Sequence, residues 1–379
     1  MRIAIVTESF PPDVNGVAHS VLRAAEHLVA RGHEPLVIAP APAGGRRREV
    51  DGHAYPVVRI PSLPVPRYHG FRLGVPGAGL AGALLGHRPD VVHLASPFVL
   101  GAAGAALAAR HDLPTVAVYQ TDVAAYARAY RVGWGEAAAW RRLREIHNSA
   151  QRTLAPSTRA AADLIANGVQ RIWLWRRGVD AERFHPERRD DRLRQTLAPG
   201  GELLVGYVGR LAPEKRVDLL AATAGLPGVR VVVAGDGPAR RQLERALPGV
   251  RFLGVQQGEA LARLYANLDV FVHTGPHETF GQTLQEAAAS GVPVVAPASG
   301  GPVDLVESGV TGLLVPPGDG DALAAAVAEL AADPARRARY GAAARAAVSR
   351  RSWRAVGDEL IGHYEAVLAG APLAGRLAA

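Results

Sequence analysis

The chain opens with an unbroken apolar run, IAIV (residues 3–6), and runs of this kind recur along its whole length. EPLVIAP (34–40), DVVHLAS (90–96), PTVAVYQTD (114–122), TLAPS (153–157) and IWLWRRGVD (172–180) follow in the first half. A second series then starts: LLVGYVGR (203–210), VRVVVAGDG (229–237), VRFLGV (250–255), LDVFVHTG (268–275), GVPVVAPAS (291–299) and TGLLVPPGD (311–319). Short, continuously apolar strands belong to parallel sheets buried on both faces. Stretches of helical period lie between most of them. In VAHSVLRAAEHLVARG the apolar positions Val17, Val21, Leu28 and Val29 fall near helical spacing, and Gly32 follows as a stop signal. The tail SWRAVGDELIGHYEAVL (352–368) is amphipathic as well. The pattern predicts two α/β units, each opening with strand, loop and helix. DAERFHPERRDDRLRQTLAPGG (180–201), polar, charged and turn-rich, reads as the linker between them.

Composition narrows this picture. At 379 residues the chain is too long for one ordinary core. With 48% hydrophobic and 21% charged residues it is globular in type. The absence of cysteine excludes a disulfide framework, a thiolate metal site and a thiol nucleophile. Met1-Arg2 runs directly into the first strand with no cleavage site, so no signal peptide is expected. Val91 to Ala109 contains no Asp, Glu, Lys or Arg, but Ser96 and Pro97 interrupt it and alanine and glycine dominate. It reads as strand, loop and helix rather than a membrane span.

The net charge of +8 is uneven: residues 1–180 hold 21 basic and 13 acidic side chains, residues 181–379 hold 22 of each. A positive first half favours anionic partners. Arg46 to Arg48, Arg67 and Arg72, and the group Trp134, Trp140, Arg141, Arg142 and Arg144, suit an anionic bilayer surface. Each of these stretches taken singly also reads as an ordinary solvated face. No DNA or RNA motif accompanies the charge, so no nucleic-acid partner is expected.

Ligands of open α/β sheets bind beyond the carboxyl ends of the strands, and two such units facing each other would enclose a cleft. After the first strand, Asn15-Gly16 meets a helix N-terminus, where glycine lets an anion approach the backbone amides. The dinucleotide pattern G-x-G-x-x-G is missing there. It occurs once, at Gly77 to Gly82, without the preceding strand that such a site requires, and reads as a loop entering a small-residue helix. GDGPAR, from Gly235, follows a strand but lacks the third glycine.

Residues 209–218 read GRLAPEKRVD and contain Lys215, the single lysine among 43 basic residues. Arg210 ends an apolar strand, and Pro213 suits the first turn of a helix. Two cations five residues apart across that turn suit a diphosphate, the lysine as a compact point charge. In HTGPHETFGQTLQEAAASGVPVVAP, a helix is expected from about Phe280 to Ser290. Glu278 stands at its start and Glu286 two turns in. Either glutamate alone reads as a helix-capping or surface acid. Together with the amides of Thr279, Phe280, Gly281 and Gln282 they make a pocket that can take a phosphate and accept from sugar hydroxyls. Asp319-Gly-Asp321 matches a D-x-D metal motif in form, but precedes an alanine-rich helix and reads as a cap. No metal is expected.

Glu278-x7-Glu286, with GRLAPEK upstream, GDGP between and GGPVDLVESGVTGLLVPPGD downstream, resembles the retaining glycosyltransferases of family 4 over nearly the whole chain. The resemblance implies an α/β fold of GT-B type. An acceptor-binding Rossmann-like domain would span 1–182 with the helix 353–379 crossing back to it, and 183–352 would bind a nucleotide-sugar donor. It implies that Arg210 and Lys215 hold the donor diphosphate, that Glu286 binds the ribose and that Glu278 faces the sugar. Gly16 would meet the donor, and Val255 and Gln256 would face its base. HTGPHETFGQ, YQTD (119–122) and RRGVD (176–180) are most similar to actinobacterial mannosyltransferases that use GDP-mannose and glycolipid acceptors. Many family members carry histidine where Gln120 stands, close to the donor sugar; glutamine cannot act as a base there, and Asp122 is the nearest carboxylate.

The expectation is therefore a hexosyltransferase with Arg210, Lys215 and Glu278 as its catalytic set and no cofactor besides the donor. It would move mannose from GDP-mannose to a lipid-linked acceptor at the cytoplasmic face of the plasma membrane, bound there peripherally. In the front-face reaction described for such enzymes the leaving phosphate takes the acceptor proton, and each contact on the diphosphate contributes about 2–4 kcal/mol of transition-state stabilisation. A UDP-sugar donor, a soluble acceptor, or a nucleotide-sugar epimerase are alternatives that share the fold.

Overall fold

The computed structural model describes residues 1–13, 15–43, 52–65, 72–120 and 135–370. The chain divides into two compact units, Met1–Arg177 with Trp353–Ala379, and Gly178–Ser352. The division read from the sequence, at 182/183, lies a few residues downstream.

In the first unit the strands are β1 (Arg2–Val6), β2 (Glu34–Pro40), β3 (Val57–Ile60), the short β4 (Ser62–Pro64) and β5 (Arg72–Gly74), β6 (Val91–Leu94), β7 (Thr115–Val118), β8 (Arg152–Ala155) and β9 (Ile172–Leu174). Among the described residues, seven of them form a parallel sheet in the order β3-β2-β1-β6-β7-β8-β9, while β4 and β5 pair with each other. Ile3 and Ile5 enter one core cluster and Ala4 and Val6 the other, all fully buried. Successive side chains point to opposite faces, so a strand covered on both sides has to be apolar at every position.

β3 was not anticipated from the sequence, because Arg59 interrupts its apolar run. That side chain is buried, donating to the carbonyl of Pro11 at 2.5 Å and lying 5.4 Å from the centre of the Phe10 ring. It fastens the loop that follows β1.

The helix Gly16–Ala30 starts where the Asn15 side chain accepts from the amides of Val17 and Ala18, and it buries Val21, Ala25 and Leu28. The terminal helix Trp353–Leu368 adds Val356, Leu360 and Tyr364 to the same cluster. Trp175 Nε1 donates to the carbonyl of Val356 at 3.0 Å, and the Tyr364 hydroxyl meets His93 Nδ1 at 2.5 Å. The last helix thus completes the core of the first unit.

The second unit contains β10 (Leu203–Val208), β11 (Val229–Ala234), β12 (Arg251–Gly254), β13 (Val270–Val272), β14 (Val294–Pro297) and β15 (Gly312–Val315), all parallel in the order β12-β11-β10-β13-β14-β15. The order reverses between β1 and β6 in the first sheet and between β10 and β13 in the second. These are the switch points beyond whose carboxyl ends such sheets bind ligands.

Three local expectations are corrected. The stretch read as a linker belongs to the second unit: Phe184 and Leu197 lie in its core, and Asp190 caps the helix Asp191–Leu197. Its charges occupy the outward side of a short amphipathic segment. Pro213 starts a single 3-10 turn, Pro213–Lys215, rather than a helix, because Arg216 turns left-handed at φ 49°. The helix expected from Phe280 begins at Gln282, because Gly281 has φ 106°.

Replacing Leu360, which is fully packed, with alanine should cost about 2–5 kcal/mol. A urea titration followed by circular dichroism checks this.

Candidate active site

The loops leaving β10 and β13, the two strands at the second switch point, meet at one ion pair. Lys215 Nζ donates to Glu278 Oε2 at 2.7 Å. Both side chains keep only about a fifth of their surface exposed, 20% and 21%. Burial opposes the charged ammonium. The Glu278 carboxylate, aided by Tyr207 and Glu214, outweighs that and pushes Lys215 up to about 12. The Thr274 hydroxyl donates to the carbonyl of Lys215 at 2.6 Å, tying the lysine backbone to the end of β13. Arg210 Nη1 lies 3.7 Å from Glu214 Oε1, a carboxylate only 7% exposed.

Close backbone contacts brace both loops. A Cβ on Gly235, in the GDGP turn, would sit 1.9 Å from the carbonyl oxygen of Gly209. A Cβ on Gly301 would sit 2.1 Å from that of Phe280, and the Gly301 amide donates to the carbonyl of Glu278 at 2.6 Å. Side chains cannot enter at either place, so these glycines set the height of the Arg210 and Glu278 loops.

The Phe280 side chain is buried, and no side chain caps the helix Gln282–Ala289. Its first turn therefore presents backbone amides and the positive end of its dipole. Glu286 is 8% exposed and accepts from the Tyr265 hydroxyl at 3.1 Å. Burial raises its carboxyl to about 7, against the lowering influence of Tyr265, Gln282 and Arg183. Gln282 Nε2 donates to the carbonyl of Gly178 at 3.1 Å. Thr279 lies between Glu278 and the buried Phe280. Val255 is exposed after Gly254, and Gln256 Nε2 donates to the carbonyl of Leu253 at 2.9 Å.

In the first unit, Gly16 lies against the buried Arg177: a Cβ there would stand 2.6 Å from Arg177 Nη1. Arg177 Nη2 donates to Gln120 Oε1 at 3.0 Å, and Gln120 Nε2 donates to the carbonyl of Ala95 at 3.2 Å. A guanidinium is thereby held at the positive end of the helix Gly16–Ala30, whose Val17 and Ala18 amides are already taken by Asn15. Asp122, Trp134, Arg46 to Arg48 and Arg67 lie outside the described residues. Of the other basic and aromatic candidates, Arg72 is engaged with Ser62 and Trp140 stacks on Tyr119, whereas Arg141, Arg142 and Arg144 are exposed. Asp319 caps the helix Gly320–Ala332 by accepting from the amide of Ala322 at 2.8 Å.

Sequence reasoning did not single out Tyr265, His273, Glu214 or Arg177. Tyr265 sits in a plain amphipathic helix, so nothing in its surroundings marks it. Arg177 could have been found as the charged residue just ahead of Gly178.

Chemically, the second unit offers two cations and a helix N-terminus to a dianion, with two carboxylates ready to accept from hydroxyls. The buried Glu286 also makes a pH prediction. Its carboxyl stands at about 7 in the fold against 4.5 for the ordinary group. Between those values the folded state holds the extra proton, so the contribution is full below the lower one and lost as pH rises through the upper. Relative to Glu286→Gln, the wild type should therefore lose stability on the order of 3 kcal/mol between pH 4.5 and 8. The difference between the two denaturation curves is the measurement, because the neutral, buried His93, His147 and His273 tilt both curves the other way.

Comparison with known proteins identifies the family. The model of Glycosyltransferase Family 4 matches residues 14–183, and that of Glycosyl transferases group 1 matches residues 188–347. A protein of Mycolicibacterium smegmatis named GDP-mannose-dependent alpha-mannosyltransferase is 51% identical, over 97% of this chain and 98% of its own. One of the same name from Mycobacterium tuberculosis is 50% identical over 97% of both chains. Among solved structures, Anabaena HepE in complex with UDP-glucose is similar with TM-score 0.79 at 23% identity, over 97% of this chain and all of that one, 100%. This likeness supports the GT-B fold. With curated relatives at half identity over nearly its full length, the chain belongs to the family 4 glycosyltransferases.

Proposed function

We propose that this glycosyltransferase moves mannose from GDP-mannose, with retention, to a lipid-linked acceptor. The observation that carries the reading is the Lys215–Glu278 pair, 2.7 Å apart, on the loops that leave the two strands at the switch point. An ammonium there is placed for a diphosphate and a carboxylate for the hydroxyls of the attached sugar. The names of the half-identical relatives support GDP-mannose as donor.

In this reading Arg210, Lys215 and the first-turn amides of Gln282–Ala289 take the charge that develops on the departing diphosphate. The bond from the sugar's anomeric carbon to the phosphate oxygen breaks. The acceptor oxygen bonds to the same face of that carbon, and its proton passes to the leaving phosphate. Glu286, half-protonated near neutrality, accepts from the ribose hydroxyls, and Glu278 faces the sugar. Val255 and Gln256 flank the base. No metal enters this scheme, since Asp319 is committed to its helix. An acceptor in a membrane fits the positive first half of the chain and the exposed Arg141, Arg142 and Arg144. No helix among the described residues is long and apolar enough to cross a membrane. We infer peripheral attachment at the cytoplasmic face of the plasma membrane.

Lys215→Ala should lower turnover by about 100- to 1000-fold, the scale of losing one contact to a developing oxyanion. Full activity in that variant would remove the diphosphate assignment. A thermal-shift panel of GDP-, UDP- and ADP-sugars tests the base, since a ligand at 100 times its Kd should add about 2.7 kcal/mol. Turnover in EDTA tests the metal-free scheme.

A further inference from the structure

His273 follows β13 directly and is 3% exposed. Neither ring nitrogen makes a hydrogen bond to a side chain, and the backbone of Gly275 lies near enough to favour the protonated ring. A buried imidazole whose hydrogen-bonding capacity is only partly used is a cost that folding alone does not explain. Its Nε2 lies 3.8 Å from Glu278 Oε2, the oxygen that Lys215 holds at 2.7 Å. Gly275 lies against both the ring and the lysine stem: a Cβ there would stand 3.4 Å from His273 Nε2 and 3.3 Å from Lys215 Cδ.

The three consecutive residues His273, Thr274 and Gly275 therefore surround the ion pair. Thr274 holds the lysine backbone, Gly275 leaves room for its stem, and His273 waits beside the carboxylate. Burial favours the neutral ring, which keeps one N–H to donate.

We propose that His273 is a positioning residue for Glu278, receiving its carboxylate when a donor diphosphate draws Lys215 away. The inference rests on the donor reading given above. A diphosphate competes with Glu278 for one ammonium, and competes harder as negative charge builds on the leaving group. His273 offers the carboxylate a donor that does not leave with the lysine, so Glu278 need not swing towards the phosphate, which repels it. A rotation of the carboxylate brings Oε2 within reach of Nε2–H, and Glu278 stays directed at the sugar. The proton remains on His273 throughout, so this is a hydrogen bond made as the transition state forms and not a transfer.

An interaction gained only in the transition state affects kcat and kcat/KM together. His273→Leu keeps the volume and removes the donor; His273→Gln places an N–H near the position of Nε2. With the full chain and whichever nucleotide sugar the wild type turns over, the leucine variant should lose about 10- to 100-fold in kcat. Donor KM should stay within roughly threefold, and the melting temperature should hold or rise, because a poorly partnered buried imidazole is gone. The glutamine variant should recover most of the loss. A leucine variant with wild-type kcat overturns the proposal, as do equal losses in both variants accompanied by a fall in melting temperature, which mark a packing role. Failure of the donor reading looks different: no nucleotide sugar is then turned over by the wild type itself, and the proposal falls with it.

Discussion

A lysine ammonium that is four-fifths covered has to meet a carboxylate, and the second unit is arranged around that requirement. The Lys215–Glu278 bond spans residues 63 apart in sequence and joins the loops of the two strands where the sheet order reverses. Breaking it from one side would leave a half-buried charge without its partner, which is costly. Both loops are therefore held by more than the pair itself: Thr274 grips the lysine carbonyl, and the Gly301 amide grips that of Glu278. The GDGP and GGP motifs act as backbone spacers, and their chemistry is steric. They place the two loops where an ammonium and a carboxylate meet at 2.7 Å.

In the proposed reading the same pair sets the terms for a donor diphosphate. Arg210 and Lys215 are balanced by Glu214 and Glu278, so the cations are already partnered before any anion arrives. A diphosphate has to displace carboxylates that are themselves buried and do not hydrate easily. Two features ease this. Glu286 can hold a proton near neutrality, which lowers the negative charge around the site. The uncapped N-terminus of Gln282–Ala289 adds positive potential that no side chain has neutralised. Affinity for a dianion then comes from the helix and from exchange of partners.

The strands were legible because burial on both faces forces a run such as IAIV or LLVGYV to be apolar throughout. β3 was not, since the position of Arg59 is decided by Phe10, Pro11 and Pro40, distant partners that a local pattern cannot show. The charged segment after Asp180 misled for a related reason. Its few apolar residues, Phe184 and Leu197, matter more than its many charges. Arg210, Lys215, Glu278 and Glu286 could be singled out by residue type at strand ends and by resemblance. Tyr265 could not, because its role comes from Glu286 on another helix, and His273 and Glu214, though near Glu278 and Arg210 in sequence, carry no motif that marks them. Arg177 meets Gly16, and Tyr265 meets Glu286.

One compositional oddity finds a physical reason in the fold. The chain uses arginine at 42 of its 43 basic positions and lysine at one. At residue 215 the stem runs past Gly275 with a gap that a single Cβ would close to 3.3 Å, and the charge ends on one carboxylate oxygen. A planar guanidinium needs width along its whole fork and prefers two acceptors side by side. An ammonium is narrow, donates in three directions and can hold a carboxylate while it turns towards an arriving phosphate. A site that exchanges partners has use for a cation whose donors are not fixed in a plane.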